Sequence, residues 1–400
     1  MKKQHYISWL CGRFRNVFLY LLLLFSVFTV LSFFEDTTLV HSYNKKVSVF
    51  FEMMNRSTKI PTFRNITLKS RKTIKPGPID VPRLNRTFQH RERKILSMRN
   101  FRYPLNVNLS YLVNRKMLDD TPIDIKPINP HNFRYLHKPE KCQFSGPKDT
   151  VKLLVLVKSA VRNLDLRKGI RDSWGKDPSP NIRIVFLLGN TDGANQKLIR
   201  EESKKYSDVV QEDFRDRYIN NTYKTIMGFN WGVTFCSNAS FFFFVDDDHY
   251  VFLSNIYNYL TGVHSSESVH LLTGYLLPHS KPYRDVKSKW FVSWEDYGYD
   301  SWPPYLAGGA YIVSFSTAQK FQIAFPYVKY LGIDDSYLGI VAKKLNIRPT
   351  HNHYFGNRAS FYNGKQIRRS NMFASHGFKD PNKMMKVWNM LNANNTSGTQ

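Results

Sequence analysis

The stretch FFFFVDDD, residues 241–248, joins an apolar run directly to three acidic residues. Five consecutive apolar residues bounded by charge predict a strand that is buried on both faces of a sheet. Adjacent Asp side chains at the carboxyl end of such a strand point into the crevice where open α/β sheets bind ligands, and a cation relieves their mutual repulsion. We therefore expect a hard divalent metal, such as Mn²⁺ or Mg²⁺, shared with a diphosphate. An acidic turn after a core strand is the alternative.

The chain around this stretch alternates between strand and helix patterns from residue 148 onward. Apolar runs predict strands at 151–157, 182–188 and 271–275, and a short strand beginning at 209. Helical spacing of apolar residues is found at 164–174, 195–206, 218–235 and 384–391, and the segment 218–235 is predicted to be amphipathic. This alternation predicts a mainly parallel central sheet with helices on both sides.

The N-terminus has the pattern of a membrane anchor. Residues 1–16 carry basic but no acidic side chains, and residues 17–34 are apolar with a few hydroxyls. Eighteen helical residues nearly span the ~30 Å hydrocarbon core, and the basic flank favours a cytosolic tail. The pattern predicts a single-pass type II protein with a luminal C-terminus. A cleaved signal peptide is less consistent, because no small-residue cleavage site follows Phe34.

The excess of positive charge suggests a nucleic-acid partner, which the predicted location excludes. The 400 residues include 58 Lys and Arg against 31 Asp and Glu, for a formal net charge of +27. Such surfaces bind phosphate polymers. A luminal domain would meet no nucleic acid, so we expect none as a partner.

Between the anchor and the globular part, residues 35–147 are predicted to form a stem. Pro, Asn and basic residues dominate, and no period of 2 or 3.6 is sustained. Short apolar pieces such as 111–113 could dock onto the globular part. Residues 391–400 are predicted to be a disordered tail. Sequons such as Asn238-Ala-Ser agree with a luminal location. Only Cys142 and Cys236 could form a luminal disulfide, although Cys236 could equally be a buried thiol.

Two later segments add candidate site residues. Asp334 and Asp335 begin an amphipathic helix, where one acid suffices as a cap and the other is free for another role. Gly308 and Gly309 follow WPPY, and this glycine pair allows close approach by either a packed side chain or a sugar ring. His376 lies in the segment SHGF, where a lone His is more often structural than a ligand.

These motifs occur together in one order. They are RKGIRDSWG (167–175), DFRDRYINNTYKT (213–225), VDDDHYV (245–251), WPPY (302–305), DDSYLG (334–339) and the His376 segment. The set resembles the β1,3-galactosyltransferase/N-acetylglucosaminyltransferase family, glycosyltransferase family 31. KWFVS (289–293), WPPY and DDSYLGI are most similar to its brainiac-type branch. The resemblance covers roughly residues 150–390.

The resemblance implies a fold and a set of functions. It implies a GT-A type nucleotide-sugar-binding domain over residues 148–390, located in the Golgi and preceded by the transmembrane helix and the stem. It also implies a UDP-sugar donor, Mn²⁺, inversion at the anomeric carbon and a glycolipid or glycoprotein acceptor. Whether the protein forms a homodimer is left open.

The resemblance also assigns roles to residues. The metal ligands are Asp246 and Asp248, with His376 as a further candidate. The catalytic base is one of Asp334 and Asp335, and we favour Asp335. Contacts with the nucleotide are expected from five residues: Arg167, Arg171, Lys224, Asp246 and Asp247. For the three basic residues among these, a structural role is equally compatible with the sequence.

A different class of function is compatible with the same fold. The chain could be a catalytically silent luminal glycan-binding protein or chaperone. We disfavour this reading because a silent relative would have no chemical reason to keep both the DDD run and the Asp334-Asp335 pair. His249 after DDD and Ala310 after the glycine pair depart from the family pattern without touching either acidic motif.

Overall fold

A computed structural model describes most of the chain after residue 100. The described residues are 98, 101–140, 142–148, 150–263, 269–356 and 371–392. They all belong to one compact unit, residues 89–400. No helix within these ranges is long and apolar enough to cross a membrane. The predicted cytosolic tail (1–16) and anchor (17–34) lie outside the described residues.

The strands form an eight-stranded sheet and a smaller three-stranded one. They are β1 (Tyr135–His137), β2 (Leu153–Lys158), β3 (Ile182–Asn190), β4 (Val209–Arg215), β5 (Phe241–Asp246), β6 (His249–Val251), β7 (Leu272–Leu277), β8 (Tyr305–Ser314), β9 (Thr350–His351), β10 (Phe355–Gly356) and β11 (Ala374–His376). The large sheet has the order β1-β4-β3-β2-β5-β8-β7-β9, and the small one has the order β10-β11-β6.

The helices fill the connections between these strands. They are α1 (Leu109–Asp119), α2 (Leu164–Asp172), α3 (Gly193–Tyr206), α4 (Asn221–Phe235), α5 (Leu253–Thr261), α6 (Phe315–Ala324), α7 (Asp334–Lys344) and α8 (Pro381–Asn392). Short 3₁₀ turns precede α4 at Tyr218–Asn220 and follow α6 at Phe325–Tyr327.

The large sheet is mixed and mostly parallel. Strands β4, β3, β2 and β5 run parallel to one another, as the alternating pattern predicts. Strand β8, by contrast, runs antiparallel between β5 and β7, and β1 pairs antiparallel with β4. The first five residues of β5 are buried, which confirms that this strand is covered on both faces.

Alternate residues of the central strands pack into two separate cores. Phe242 and Phe244 belong to a core with residues of α1, α4, α6 and α7, whereas Phe241 and Phe243 belong to another with residues of α2, α5 and α8. Because successive side chains of a strand point to opposite faces, helices therefore cover both sides of the sheet. This arrangement confirms the predicted α/β layering.

Helix α4 is enclosed on most sides, which differs from the amphipathic helix predicted at 218–235. Its buried residues include Thr222, Lys224 and Trp231, and they do not form a single stripe. Gly228 and Gly232 lie one turn apart against the sheet, where a Cβ would come within 2.6 Å of Leu187 and Phe242 respectively. These glycines let the helix backbone approach the strands closely.

Part of the predicted stem is packed structure. Leu109 and Val113 of α1 are fully buried in one of the two cores, and β1 extends the large sheet. Cys142 and Cys236 form a disulfide with their Cα atoms 5.0 Å apart. The prediction of little packed structure across residues 35–147 is therefore wrong for residues 101–140. The apolar residues of this segment are too widely spaced to give a regular period, but several of them pack in or against one of the cores.

Candidate active site

The carboxyl ends of β2 and β5 open into a cleft of about 800 Å³. These two strands are parallel neighbours, and Lys158 lies in register with Asp246. The loop that follows β2, the DDD run and residues 216–224 form the walls of the cleft. The crevice expected at the end of FFFFV is therefore present, and the acids lie at its floor and rim.

Lys158 joins the acids of two distant motifs. Its Nζ lies 3.1 Å from Asp246 Oδ1 and 2.8 Å from Asp334 Oδ2, and it donates a hydrogen bond to the Gly308 carbonyl at 2.9 Å. Burial opposes its charge, but the carboxylates of Asp246 and Asp334 raise the pKa of Lys158 well above its usual value. This ammonium therefore holds β2, β5, β8 and the start of α7 together.

Asp334 and Asp335 have different surroundings, although they are adjacent. Asp334 accepts hydrogen bonds from Lys158 and, at 2.9 Å, from Thr225 Oγ1. Burial by itself would raise the pKa of Asp334, but the charge and the hydrogen bond of Lys158 lower it. Burial and the Asp334 charge raise the pKa of Asp335 to about 7. Asp335 accepts a bond from the Ser336 amide at 2.6 Å and forms no salt bridge among the described residues. Its environment is that of a proton acceptor poised near neutral pH.

The three acids of the DDD run point to different partners. Asp247 is buried and accepts bonds from Ser159 Oγ at 2.7 Å and Asn163 Nδ2 at 2.9 Å. Burial raises its pKa, and these two donors oppose the rise. Burial likewise raises the pKa of Asp246, with Lys158 opposing it. Asp247 thus fixes the loop after β2 in place.

Asp248 meets two histidines across the small sheet. His249 Nδ1 and His376 Nε2 each lie 3.1 Å from an Asp248 oxygen, because β6 and β11 pair with His249 opposite His376. Burial by itself would raise the pKa of Asp248, but His249 and His376 lower it below its usual value. His376 is therefore brought beside the DDD run from 128 residues away.

The donor atoms at this point fit part of a metal site. No group of three or more His, Cys, Asp or Glu side chains in the described ranges is placed to hold a metal ion. Asp248 and His376 nevertheless bring a carboxylate and an imidazole together at the rim of the cleft, and both are ligand types that Mn²⁺ accepts. A metal held by this pair would take its remaining ligands from a diphosphate or from water.

Arg167 and Arg171 do not line the cleft, contrary to the predicted nucleotide contacts. Arg167 is fully buried, binds Glu202 and donates to the Ala160 and Val161 carbonyls. Arg171 forms salt bridges with Glu202 and Asp208. Both guanidinium groups are used inside the fold, and that of Arg167 supports the loop after β2 from behind.

Lys224 lies at the cleft but is also paired. Its Nζ is 2.9 Å from Asp216 Oδ1 and donates to the Ser159 carbonyl. Asp216 in turn accepts from the backbone amides of Val161 and Gly189. This pair therefore braces the cleft wall, and contact of Lys224 with a nucleotide stays a prediction.

The glycine pair of β8 runs between the two acidic motifs. A Cβ on Gly308 would lie 3.2 Å from the Asp335 Cβ, and one on Gly309 would lie 2.9 Å from the His249 ring. The close approach allowed by these glycines is therefore to site side chains. This contact accounts for the glycine pair through packing and requires no sugar ring.

Sequence reasoning missed several basic residues of the site. The strand predicted at 151–157 stops before Lys158, although a Lys that closes a buried parallel strand is itself a signal. Four further basic side chains line the cleft and form no salt bridge within the described part of the chain: Arg162, Arg217, Lys289 and Lys379. A concave surface with this charge suits a polyanionic ligand such as a diphosphate.

Comparisons with known proteins show what the chain is similar to. The galactosyltransferase family model matches residues 165–353. The β1,3-galactosyltransferase brn of Drosophila melanogaster is 35% identical over 73% of this chain and 86% of its own length. The human β1,3-galactosyltransferase 1 is 32% identical over 70% of this chain and 85% of its own length. The solved galactosyltransferase LgtC is more distant, with 11% identity over 58% of this chain and 94% of its own, and a TM-score of 0.33.

The chain belongs to the galactosyltransferase family, glycosyltransferase family 31. It is a homologue of the β1,3-galactosyltransferases and thus a hexosyltransferase that uses a nucleotide-sugar donor and a sugar acceptor.

Proposed function

We propose that the protein is an inverting, metal-dependent β1,3-glycosyltransferase of the Golgi membrane. It transfers a hexosyl or N-acetylhexosaminyl group, Gal or GlcNAc, from a UDP-sugar to a glycolipid or glycoprotein. The observation that carries this proposal is the arrangement around Lys158, whose ammonium contacts both Asp246, which lines the cleft, and Asp334 of the Asp334-Asp335 pair. The DDD run lines the cleft proposed for the diphosphate, and the Asp334-Asp335 pair is available for proton transfer.

The acceptor hydroxyl attacks the anomeric carbon of the donor sugar from the face opposite the diphosphate. The bond from C1 to the diphosphate oxygen breaks, and UDP leaves with the bonding electrons. Asp335 takes the proton of the attacking hydroxyl, and its raised pKa suits this role. Asp334 is held ionised by Lys158 and positions Asp335 through the start of α7.

The leaving diphosphate develops negative charge, which the basic lining of the cleft opposes. Arg162, Arg217 and Lys289 face this volume. Asp248 and His376, with Asp246 beside them, would hold Mn²⁺, which when bound neutralises the diphosphate charge. Asp247 and Lys224 hold the loop after β2 in the shape that the donor meets.

Two features support different donors. KWFVS and WPPY, as brainiac-type features, favour UDP-GlcNAc and a glycolipid acceptor. The names of the relatives, which are β1,3-galactosyltransferases, favour UDP-Gal. A secreted form that begins at Gln89 and so keeps α1 and Cys142 can be assayed with UDP-Gal, UDP-GlcNAc and UDP-GalNAc.

UDP release and transfer to a panel of β-glycosides are the measurements. We expect one donor to be turned over, with a β1,3 linkage in the product. A protein that binds UDP, but neither cleaves UDP from any of the three donors nor transfers their sugars, would favour the silent glycan-binding or chaperone function instead.

A further inference from the structure

Three aromatic side chains form an exposed wall beside the cleft. We propose that Tyr218, Tyr283 and Trp290, here called the aromatic wall, bind the neutral sugar ring of the acceptor. This inference rests on the proposed function and deepens it, because it assigns the acceptor side of the same site. None of the three was assigned a role from the sequence.

The wall begins next to the proposed base. Tyr218 and Lys289 line the cleft. Lys158 and Asp246 line the same cleft, and Lys158 also binds Asp334, the neighbour of Asp335, at 2.8 Å. A ligand that rests on Tyr218 therefore lies at the cleft whose Lys158 is joined to the proposed base motif.

The wall is held rigid by polar contacts. The indole N–H of Trp290 donates to the Tyr218 hydroxyl at 2.8 Å. Lys289 Nζ lies over the rings of Tyr218 and Trp290, at 5.1 and 4.4 Å from their centroids. The Tyr283 and Trp290 rings are 5.2 Å apart. Cross-contacts of this kind preorganise a binding surface and reduce the entropy cost of binding.

The loop that carries the wall is also anchored from behind. The guanidinium of Arg284 donates to the carbonyls of Val292, Ser293, Tyr297 and Tyr299. The Val292 amide donates to the Tyr283 carbonyl at 2.9 Å. The segment therefore presents its rings on a fixed backbone.

The rings remain open to solvent despite this support. Tyr218 is 50% exposed, Tyr283 is 54% and Trp290 is 37%. Aromatic side chains that are both fixed and exposed, in a concave region with nearby polar groups, are typical of ligand sites. A pyranose ring matches such a surface, because its axial C–H groups form an apolar face while its hydroxyls stay at the edge.

The chemistry of the neighbouring cleft separates the acceptor from the donor. The donor diphosphate needs the cations that line the cleft, whereas the wall offers rings and contributes no carboxylate or guanidinium of its own. A neutral glycan terminus that lies on the wall and projects one hydroxyl towards Asp335 would satisfy both surfaces.

The test separates acceptor binding from donor binding. The acceptor is the best glycoside found with the wild-type secreted form, used as its water-soluble methyl glycoside. For Trp290→Ala and Tyr283→Ala we expect the acceptor KM to rise about tenfold, a change that stacking energies of this size would give. The affinity of Tyr283→Ala for UDP, measured by calorimetry, should stay near the wild-type value, because Tyr283 is not among the residues that line the cleft.

Matched variants control for folding and for nonspecific effects. Trp290→Phe keeps a ring but removes the bond to Tyr218, so an intermediate KM is expected. Tyr111→Ala removes a similarly exposed ring, 55% exposed, from α1 and should leave the acceptor KM unchanged. Melting temperatures identify any variant that fails to fold. If Trp290→Ala fails to fold, the test uses Tyr283→Ala and Trp290→Phe.

The outcomes distinguish this proposal from the proposed function. An unchanged KM for the methyl glycoside in Tyr283→Ala and Trp290→Phe overturns the aromatic wall. A KM that rises in these variants only for the intact glycolipid also overturns the aromatic wall, since the rings would then contact the lipid part of the acceptor. A loss of UDP affinity in Tyr283→Ala would assign the rings to the donor side and also overturn it. Wild-type protein that binds no UDP and transfers no sugar would overturn the proposed function itself.

Discussion

Lys158 determines how the neighbouring acids of the site differ. It binds Asp334 directly and forms no salt bridge with Asp335 in the described structure, so its ammonium stabilises the Asp334 carboxylate more than that of Asp335. Two residues of the same type, adjacent in sequence, thereby acquire opposite pKa shifts. Paired carboxylates with separated pKa values are suited to separate roles, one for structure and one for proton transfer.

Substitution of each acid tests this division. For Asp335→Asn we expect transfer to fall by about 10²–10⁴-fold, because the amide cannot accept the proton, while UDP affinity is retained. For Asp334→Asn we expect lower stability, by up to ~3–5 kcal/mol, because a buried ion pair is broken. Transfer rates, UDP calorimetry and thermal melts on both variants are the measurements. Full transfer by Asp335→Asn would reverse the assignment.

The raised pKa of Asp335 predicts the pH dependence of transfer. The base acts in its ionised form, so activity should rise with pH through about 7 and level off above it. The pH profile of kcat/KM for the acceptor, measured at saturating donor, reports this group. An acid limb that lies near pH 4 would show that Asp335 is ionised throughout and that its surroundings do not raise its pKa.

The rim pair Asp248 and His376 predicts a metal dependence. Removal of divalent metal by a chelator should abolish transfer in the wild type, and Mn²⁺ should restore it. Asp248→Asn should weaken Mn²⁺ binding in the presence of UDP, measured by electron paramagnetic resonance, more than His376→Ala does, because the carboxylate supplies charge as well as a ligand atom. Undiminished Mn²⁺ binding and transfer by Asp248→Asn would contradict this assignment.

At the scale of elements, the segment before the first parallel strand is part of the domain. Helix α1 packs on α6, its Ser110 donates to the Leu345 carbonyl, and Lys344 donates to the carbonyls of Leu105 and Val107. The disulfide ties the same segment to the end of α4. The domain boundary expected at 148 therefore lies earlier, before residue 101.

The disulfide should contribute substantially to stability. It closes a loop with a sequence separation of 94, which is worth up to ~4–5 kcal/mol in the chain-entropy model. Cys142→Ala breaks the bridge and leaves the buried Cys236 in the core, so a lower melting temperature is expected. Wild-type protein under reducing conditions is the control and should melt like the variant. An equal melting temperature with and without the bridge would contradict the prediction.

Across the whole molecule, the predicted type II orientation in a membrane is open to direct measurement. The sequence predicts a luminal domain, and Asn238 of one sequon is exposed in the turn between α4 and β5. We expect glycosidase treatment to increase the gel mobility of membrane-extracted protein. Asn238→Gln should abolish part of this shift, whereas Ser237→Ala, an exposed neighbour outside the sequon, should not.

Protease protection in sealed microsomes completes this test. A luminal C-terminus should be protected until detergent is added. Absence of any glycosidase shift, together with a C-terminus that is cleaved without detergent, would contradict the type II topology.

The sequence by itself determined the layers of the fold and the position of the acidic motifs. The run 241–245 is typical of a doubly buried strand, which places the acids that follow it at the edge of the sheet. The order of the motifs also identified the family, which the relatives confirm. The buried strand and the acids after it are local features, since a few consecutive residues decide them.

The tertiary structure alone decided which charged groups meet. Lys158 and Asp334 are 176 positions apart, and Arg167 finds Glu202 instead of a nucleotide. No local pattern separates a buried, paired cation from one that faces a ligand, because the energy of either depends on the partners that the fold supplies. The packing of residues 101–140 and the rings of the aromatic wall depended on the same long-range contacts.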